Sequence, residues 1–155
     1  MSTAAPVILL VEDNPDDEAL TLRALTRSGF GDRVMVVRDG AEALDFLHGT
    51  GVFAGRDISR LPALTLLDLK LPRIDGLEVL RRIRADERTA LACVVIFTSS
   101  GEQRDIHRAY LDHANSFVRK PVAFDQFSQT VEHLARYWIQ INEPERSAAA
   151  NHAQP

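Results

Sequence analysis

The chain is poor in the residues that would mark several common protein classes. It has one cysteine, one tryptophan and two tyrosines in 155 residues. Cys93 has no partner for an intrachain disulfide, and its place in an apolar run marks it as a small buried hydrophobe of a reducing compartment. No apolar stretch comes near the roughly 20 residues that span a bilayer, and residues 1–6 lack the positive region and apolar core of a secretory signal. A soluble, cytoplasmic protein is expected, without a membrane partner. Basic tracts interleaved with aromatics are also missing. The 18 basic and 22 acidic residues give a formal charge of -4, so nucleic acid is not an expected partner. The acidic segment Glu12-Asp13-Asn14-Pro15-Asp16-Asp17 contains no glycine, which argues against a nucleotide-binding turn built on a cradle of amides.

What is present is a regular alternation. Apolar runs at Val7 to Val11, Val34 to Val37, Leu64 to Leu67, Cys93 to Phe97 and Ser116 to Val118 read as strands, and the segments between them carry helical periodicity. That is the pattern of βαβ units, hence an α/β protein with a parallel sheet. With 45% hydrophobic residues the length suits one core. Asn14 caps a first helix with Pro15 at its first position, and Gly29 ends it. A second helix runs from Ala41 to about His48, followed by a long irregular connection rich in glycine. The third starts near Gly76, with Leu77, Leu80 and Ile83 inward and Arg81, Arg82, Arg84 and Arg88 turned largely to water. Ser99 and Glu102 have capping-box spacing and place a fourth helix directly after Thr98. Phe124, Phe127, Val131, Leu134, Trp138 and Ile141 form the apolar stripe of a last helix. Residues 142–155 read as a flexible tail and 1–6 as a short extension.

Four of the five strands end in chemistry: Glu12 and Asp13 after the first, Asp68 after the third, Thr98 on the fourth, Lys120 after the fifth. In a parallel sheet these ends share one edge, where open α/β sheets bind ligands. Crowded carboxylates resist ionisation unless a cation neutralises them, and Mg²⁺ suits an all-oxygen set that shares its shell with phosphate. Asp16, Asp17 and Glu18 read instead as negative charge at a helix start. Asp68 is a plausible nucleophile toward phosphorus, Thr98 a donor to a phosphoryl oxygen and Lys120 its counter-charge. The Lys120–Pro121 bond is a candidate for the cis form, which would steer the lysine over the edge.

These residues resemble the receiver domain of two-component response regulators: the acidic pair Glu12 and Asp13, Asp68 within Leu-Leu-Asp-Leu-Lys-Leu-Pro-Arg-Ile-Asp-Gly, Thr98, and Phe117-Val-Arg-Lys-Pro121. The match covers residues 7–141. Within that family the opening Leu-Val-Glu-Asp-Asn-Pro-Asp-Asp, the long loop before the third strand and the extended last helix are most similar to single-domain regulators that accompany bacterial phytochrome kinases. The resemblance implies a flavodoxin-like, doubly wound five-stranded sheet in order 2-1-3-4-5 with five helices. It implies phosphorylation of Asp68 by a histidine kinase with Mg²⁺, ligated by Asp13 directly, by Glu12 through water, by Asp68 and by the backbone carbonyl of Lys70. Lys70 stands where asparagine or methionine is common in the family, which bears on the lifetime of the phosphorylated state.

Phosphorylation would draw Thr98 inward and vacate space for an aromatic side chain, for which Phe117 is the candidate; a plain core phenylalanine is the alternative. An Mg²⁺-dependent phosphohydrolase and a receiver-like binding module that takes no phosphate are the competing functions. Tyr137 and Ile139, flanking the stripe on the last helix, suggest a homodimer through that helix.

Overall fold

The first strand shows how the sheet is built. β1 (Ile8–Val11) is buried at all four positions, Ile8 and Leu10 packing on one side and Leu9 and Val11 on the other. A strand covered on both faces needs an unbroken apolar run, which is how β1, β3 (Leu64–Leu67) and β4 (Val94–Thr98) read. β2 (Val34–Val37) and β5 (Ser116–Arg119) are half-buried and lie at the edges. In the computed structural model, which describes residues 7–145, all five strands are parallel in the order β2-β1-β3-β4-β5.

Five helices cover the two faces: α1 (Pro15–Arg27), α2 (Gly40–His48), α3 (Gly76–Ala85), α4 (Gln103–Leu111) and α5 (Phe124–Ala135). Ala24 and Leu25 of α1 and Phe127 and Val131 of α5 close over Leu66, Val95 and Phe97. Phe46 and Leu47 of α2, Val79, Leu80 and Ile83 of α3 and Ala109 of α4 close over Leu67, Val94 and Ile96. Full burial of one such leucine or isoleucine contributes about 1.5–3 kcal/mol, so the two layers dominate stability. α1 starts as its sequence dictates: the Asn14 side chain accepts from the amides of Asp16 and Asp17, and Gly29, at φ 90°, takes the left-handed turn that follows the helix.

The connection from α2 to β3 is long, as expected, yet anchored. Phe53 packs edge-on against Phe46 at 5.1 Å. Arg56 lies 4.1 Å over the same ring and donates to the Phe46 carbonyl at 2.6 Å, occupying an acceptor at the end of α2.

Several boundaries and contacts depart from the pattern. α4 begins at Gln103 with Glu102 itself as the N-cap and no side-chain capping bond, so the Ser99 capping box, which needs Glu102 inside the first turn, does not form; Ser100 donates to Asp105 at 2.5 Å. Arg84 does not turn to water. Its guanidinium donates to the carbonyls of His113, Ala90 and Ala92 and to Asn115 Oδ1 at 2.7–2.9 Å. The Lys120–Pro121 peptide is trans, since no cis bond occurs among the described residues. After Ala135 the last helix widens into a π-helical segment, Arg136–Ile141. Trp138 and Ile139 pack against the core, while Phe124 and Ile141, expected in the stripe, are 51% and 66% exposed. Asn142, assigned to the tail, is tied back through its amide to Tyr137 and its side chain to Cys93 Sγ at 3.9 Å. The extension 1–6 and residues 146–155 of the expected tail lie outside the described residues.

Candidate functional site

The carboxyl ends of β1, β3 and β5 converge on one ammonium. Lys120 Nζ donates to Glu12 Oε1 at 2.6 Å, to Asp17 Oδ2 at 2.8 Å and to Asp68 Oδ2 at 2.8 Å. The lysine is 6% exposed, and the Phe97 ring lies 5.9 Å from Nζ. Lys120 is placed by the sheet itself: its amide continues the ladder to the Thr98 carbonyl at 2.7 Å. Burial works against its charge, but the bonds to Asp17, Asp68 and Glu12 outweigh burial and raise its pKa above the ordinary lysine value. It stays cationic throughout the physiological range.

Glu12 is 1% exposed, and both of its oxygens are engaged, Oε1 by Lys120 and Oε2 by the Asn14 amide at 3.1 Å. Burial pushes its carboxyl up to about 7, against the opposing pull of Lys120. Asp13 points outward and takes no hydrogen bond or ion pair among the described residues. Asp68 is 7% exposed; its second oxygen accepts the Lys70 amide at 3.3 Å. Ligand oxygens of Glu12, Asp13 and Asp68 lie within 4.8 Å of one another. Three hard oxygen donors, one of them unengaged, and no sulfur or imidazole form a donor set that fits Mg²⁺ or Mn²⁺.

The loop after β3 is folded back on itself. Gly76 donates to the Leu69 carbonyl at 2.8 Å, and a side chain at Gly76 would collide with the Asp68 carbonyl. Only glycine lets α3 start this close to Asp68. Asp75 caps α3 through the Glu78 amide, and Arg73, in the loop just before Asp75, adopts φ 70°.

Thr98 ends β4, buried to 1%, on the sheet face that carries Val94 and Ile96. Phe117 pairs in register with Ile96 and packs against the same core cluster, so the two proposed switch residues share a face. The amide of Phe117, on an edge strand, donates to the Tyr110 hydroxyl of α4 at 3.2 Å. That link was not foreseen from the sequence.

Asp17 is the site residue that sequence reasoning missed. Its neighbours behave as expected: Asp16 is exposed at the helix start, and Glu18 pairs with Arg38 at 2.8 Å. Asp17 instead turns inward to Lys120, one helical turn after Glu12 and Asp13 have left the strand. The available signal was helical: once α1 is set at Pro15, position 17 faces the sheet edge.

Residues 8–132 match the response regulator receiver domain family. The chain belongs to that family. Among curated proteins it is 44% identical over 138 residues to the probable methanogenesis regulatory protein FilR2 of Methanothrix harundinacea, covering 88% of this chain and 85% of the relative. The crystal structure of the phosphorylated cyanobacterial phytochrome response regulator RcpA superposes with a TM-score of 0.83 at 35% identity, over 91% of this chain and 99% of that one. The Mn²⁺-bound form of response regulator Rcp1, a protein of Synechocystis sp., gives 0.82 at 31% identity, over 90% and 99%. This receiver is therefore a two-component signalling domain whose relatives include single-domain phytochrome response regulators.

Proposed function

We propose that this receiver accepts a phosphoryl group on Asp68 from the phosphohistidine of a sensor kinase and passes the change on as altered protein contacts. The observation that carries the reading is the Lys120 ammonium bonded at 2.8 Å to an almost buried Asp68, beside an acidic cluster fit for a divalent cation. An Asp68 oxygen attacks phosphorus, the P–N bond breaks, and the imidazole leaves and regains its proton from water. An acyl phosphate remains. A divalent cation seated by Glu12, Asp13, Asp68 and the Lys70 carbonyl would neutralise the phosphoryl oxygens. Glu12, whose oxygens both accept protein donors, suits ligation through water, and the unengaged Asp13 suits direct ligation. Lys120 serves as the second counter-charge and Thr98 as a donor to a phosphoryl oxygen. Thr98 and Phe117, on one sheet face, form the switch, with Phe117 moving toward the space that Thr98 leaves.

The likeness to RcpA favours a phytochrome-type histidine kinase as donor and a cytoplasmic location. Tyr137, 47% exposed, lines a groove of about 410 Å³ with Val118, Leu134 and Trp138; Ile139, expected to flank the stripe beside it, packs partly buried against the core instead, and Ile141, further along that helix, is exposed. This surface supports a homodimer through that helix, with no role for nucleic acid or membrane.

Incubation with a small phosphodonor and Mg²⁺ tests the acceptor. A phosphate adduct in the native protein that is absent from Asp68→Asn is expected. No adduct in the native protein would leave the binding-module reading, and steady turnover of phosphomonoesters would favour a phosphohydrolase.

A further inference from the structure

The Lys120 ammonium has three N–H groups, and three carboxylates use all of them. Two of these, Glu12 and Asp68, also belong to the oxygen cluster fit for a divalent cation; Asp17 does not. Asp17 differs in other ways. Its side chain is 23% exposed, against 2% for Glu12 and 9% for Asp68, so it is the acceptor on the solvent side. It belongs to α1 rather than to a strand end, and its own amide is fixed by Asn14 Oδ1 at 3.0 Å. Negative charge at a helix start accounts for Asp16 next to it, but not for a carboxylate turned inward onto a nearly buried ammonium.

We infer that Asp17 is a positioning residue that draws the Lys120 ammonium toward α1 and holds it off the seat of the divalent cation between Glu12, Asp13 and Asp68. The inference rests on the reading that those three acids bind such a cation. An ammonium and a divalent cation compete for the same carboxylate oxygens. Anchored at Asp17, Lys120 gives one N–H to each of the two shared acids and its third to Asp17. Without that anchor, its third N–H and its charge settle on Glu12 and Asp68, and the cation must displace them. Asp17 thereby keeps two positive charges in one small site apart, each ready to meet a different phosphoryl oxygen.

Calorimetric titration of the full chain with Mg²⁺ tests this without any phosphoryl transfer. Asp17→Asn keeps the shape of the side chain and removes its charge. The expected result is a dissociation constant raised about five- to tenfold, in the range of couplings between contacting residues. Asp17→Glu should restore most of the loss. The same Asp17→Asn change in a Lys120→Met background separates the mechanism from a simple loss of negative field: there the constant should move by less than about twofold, because the competing ammonium is gone. Asp17→Ser provides a second variant with the same expectation. Equal weakening with and without Lys120 would overturn the proposal in favour of field alone, as would unchanged affinity in the single variants. Failure of the native protein to bind Mg²⁺ would instead remove the metal reading beneath it.

Discussion

Glu12 carries the clearest consequence at the scale of one side chain. Its carboxyl sits at about 7 rather than 4.5 because burial outweighs the neighbouring ammonium. Between those values the folded metal-free protein holds a proton that the unfolded chain has released, so its stability falls as pH rises from about 4.5 toward 7. A divalent cation needs the ionised form. Mg²⁺ affinity should therefore rise with pH through the same window and level off above about 7, and Glu12→Gln should flatten that dependence; calorimetry at several pH values is the check. Glu12, Asp13, Asp68, Thr98 and Lys120 were legible in the sequence because each stands at a strand end, and strand ends in a parallel sheet meet. Asp17 was not, because a carboxylate at a helix start reads the same whether it faces water or a lysine 103 positions away.

At the scale of elements, the joints between helices and strands depend on long polar side chains that a periodicity count assigns to solvent. Arg84 shows this best: its guanidinium ties the end of α3 to the α4–β5 turn and the entry to β4, and burial lowers its pKa from the ordinary arginine value. Arg84→Ala should cost about 2–3 kcal/mol in urea unfolding by leaving several carbonyls without donors, whereas Arg82→Ala, removing an exposed pair with Glu78, should change stability by less than about 0.5 kcal/mol. The Tyr110 hydroxyl joins α4 to the Phe117 amide. In the proposed switch Phe117 moves by packing alone, since it has no hydroxyl. Phe117→Ala should leave Asp68 phosphorylation intact and weaken the response of a partner; loss of phosphorylation itself in that variant would count against the coupling.

For the molecule as a whole, metal and assembly are the two external terms. A ligand that binds only the folded state stabilises it by mass action, so Mg²⁺ at a hundred times its dissociation constant should add about 2.7 kcal/mol to unfolding, and Asp13→Asn should abolish most of that gain in thermal melts. The exposed Tyr137 and Ile141 on the last helix lead to the second expectation, a dimer at micromolar concentration in light scattering. A monomer both with and without phosphodonor would refute the proposed interface.

The order of strands and helices, their two-sided burial and the gathering of acids, hydroxyl and lysine on one edge follow from patterns local in sequence: unbroken apolar runs in the strands, a cap at Asn14, glycine where a turn requires it. Receiver membership follows from them, because few folds place those groups at successive strand ends. Tertiary structure decided which of three adjacent acids at the start of α1 turns inward, which arginine of α3 is drawn into the protein, and where the last helix widens to seat Trp138 and Ile139. Those outcomes depend on partners far away in the chain, such as Lys120 with Glu12 across 108 positions, and hydrogen bonds of that span exist only once the sheet has brought its ends together.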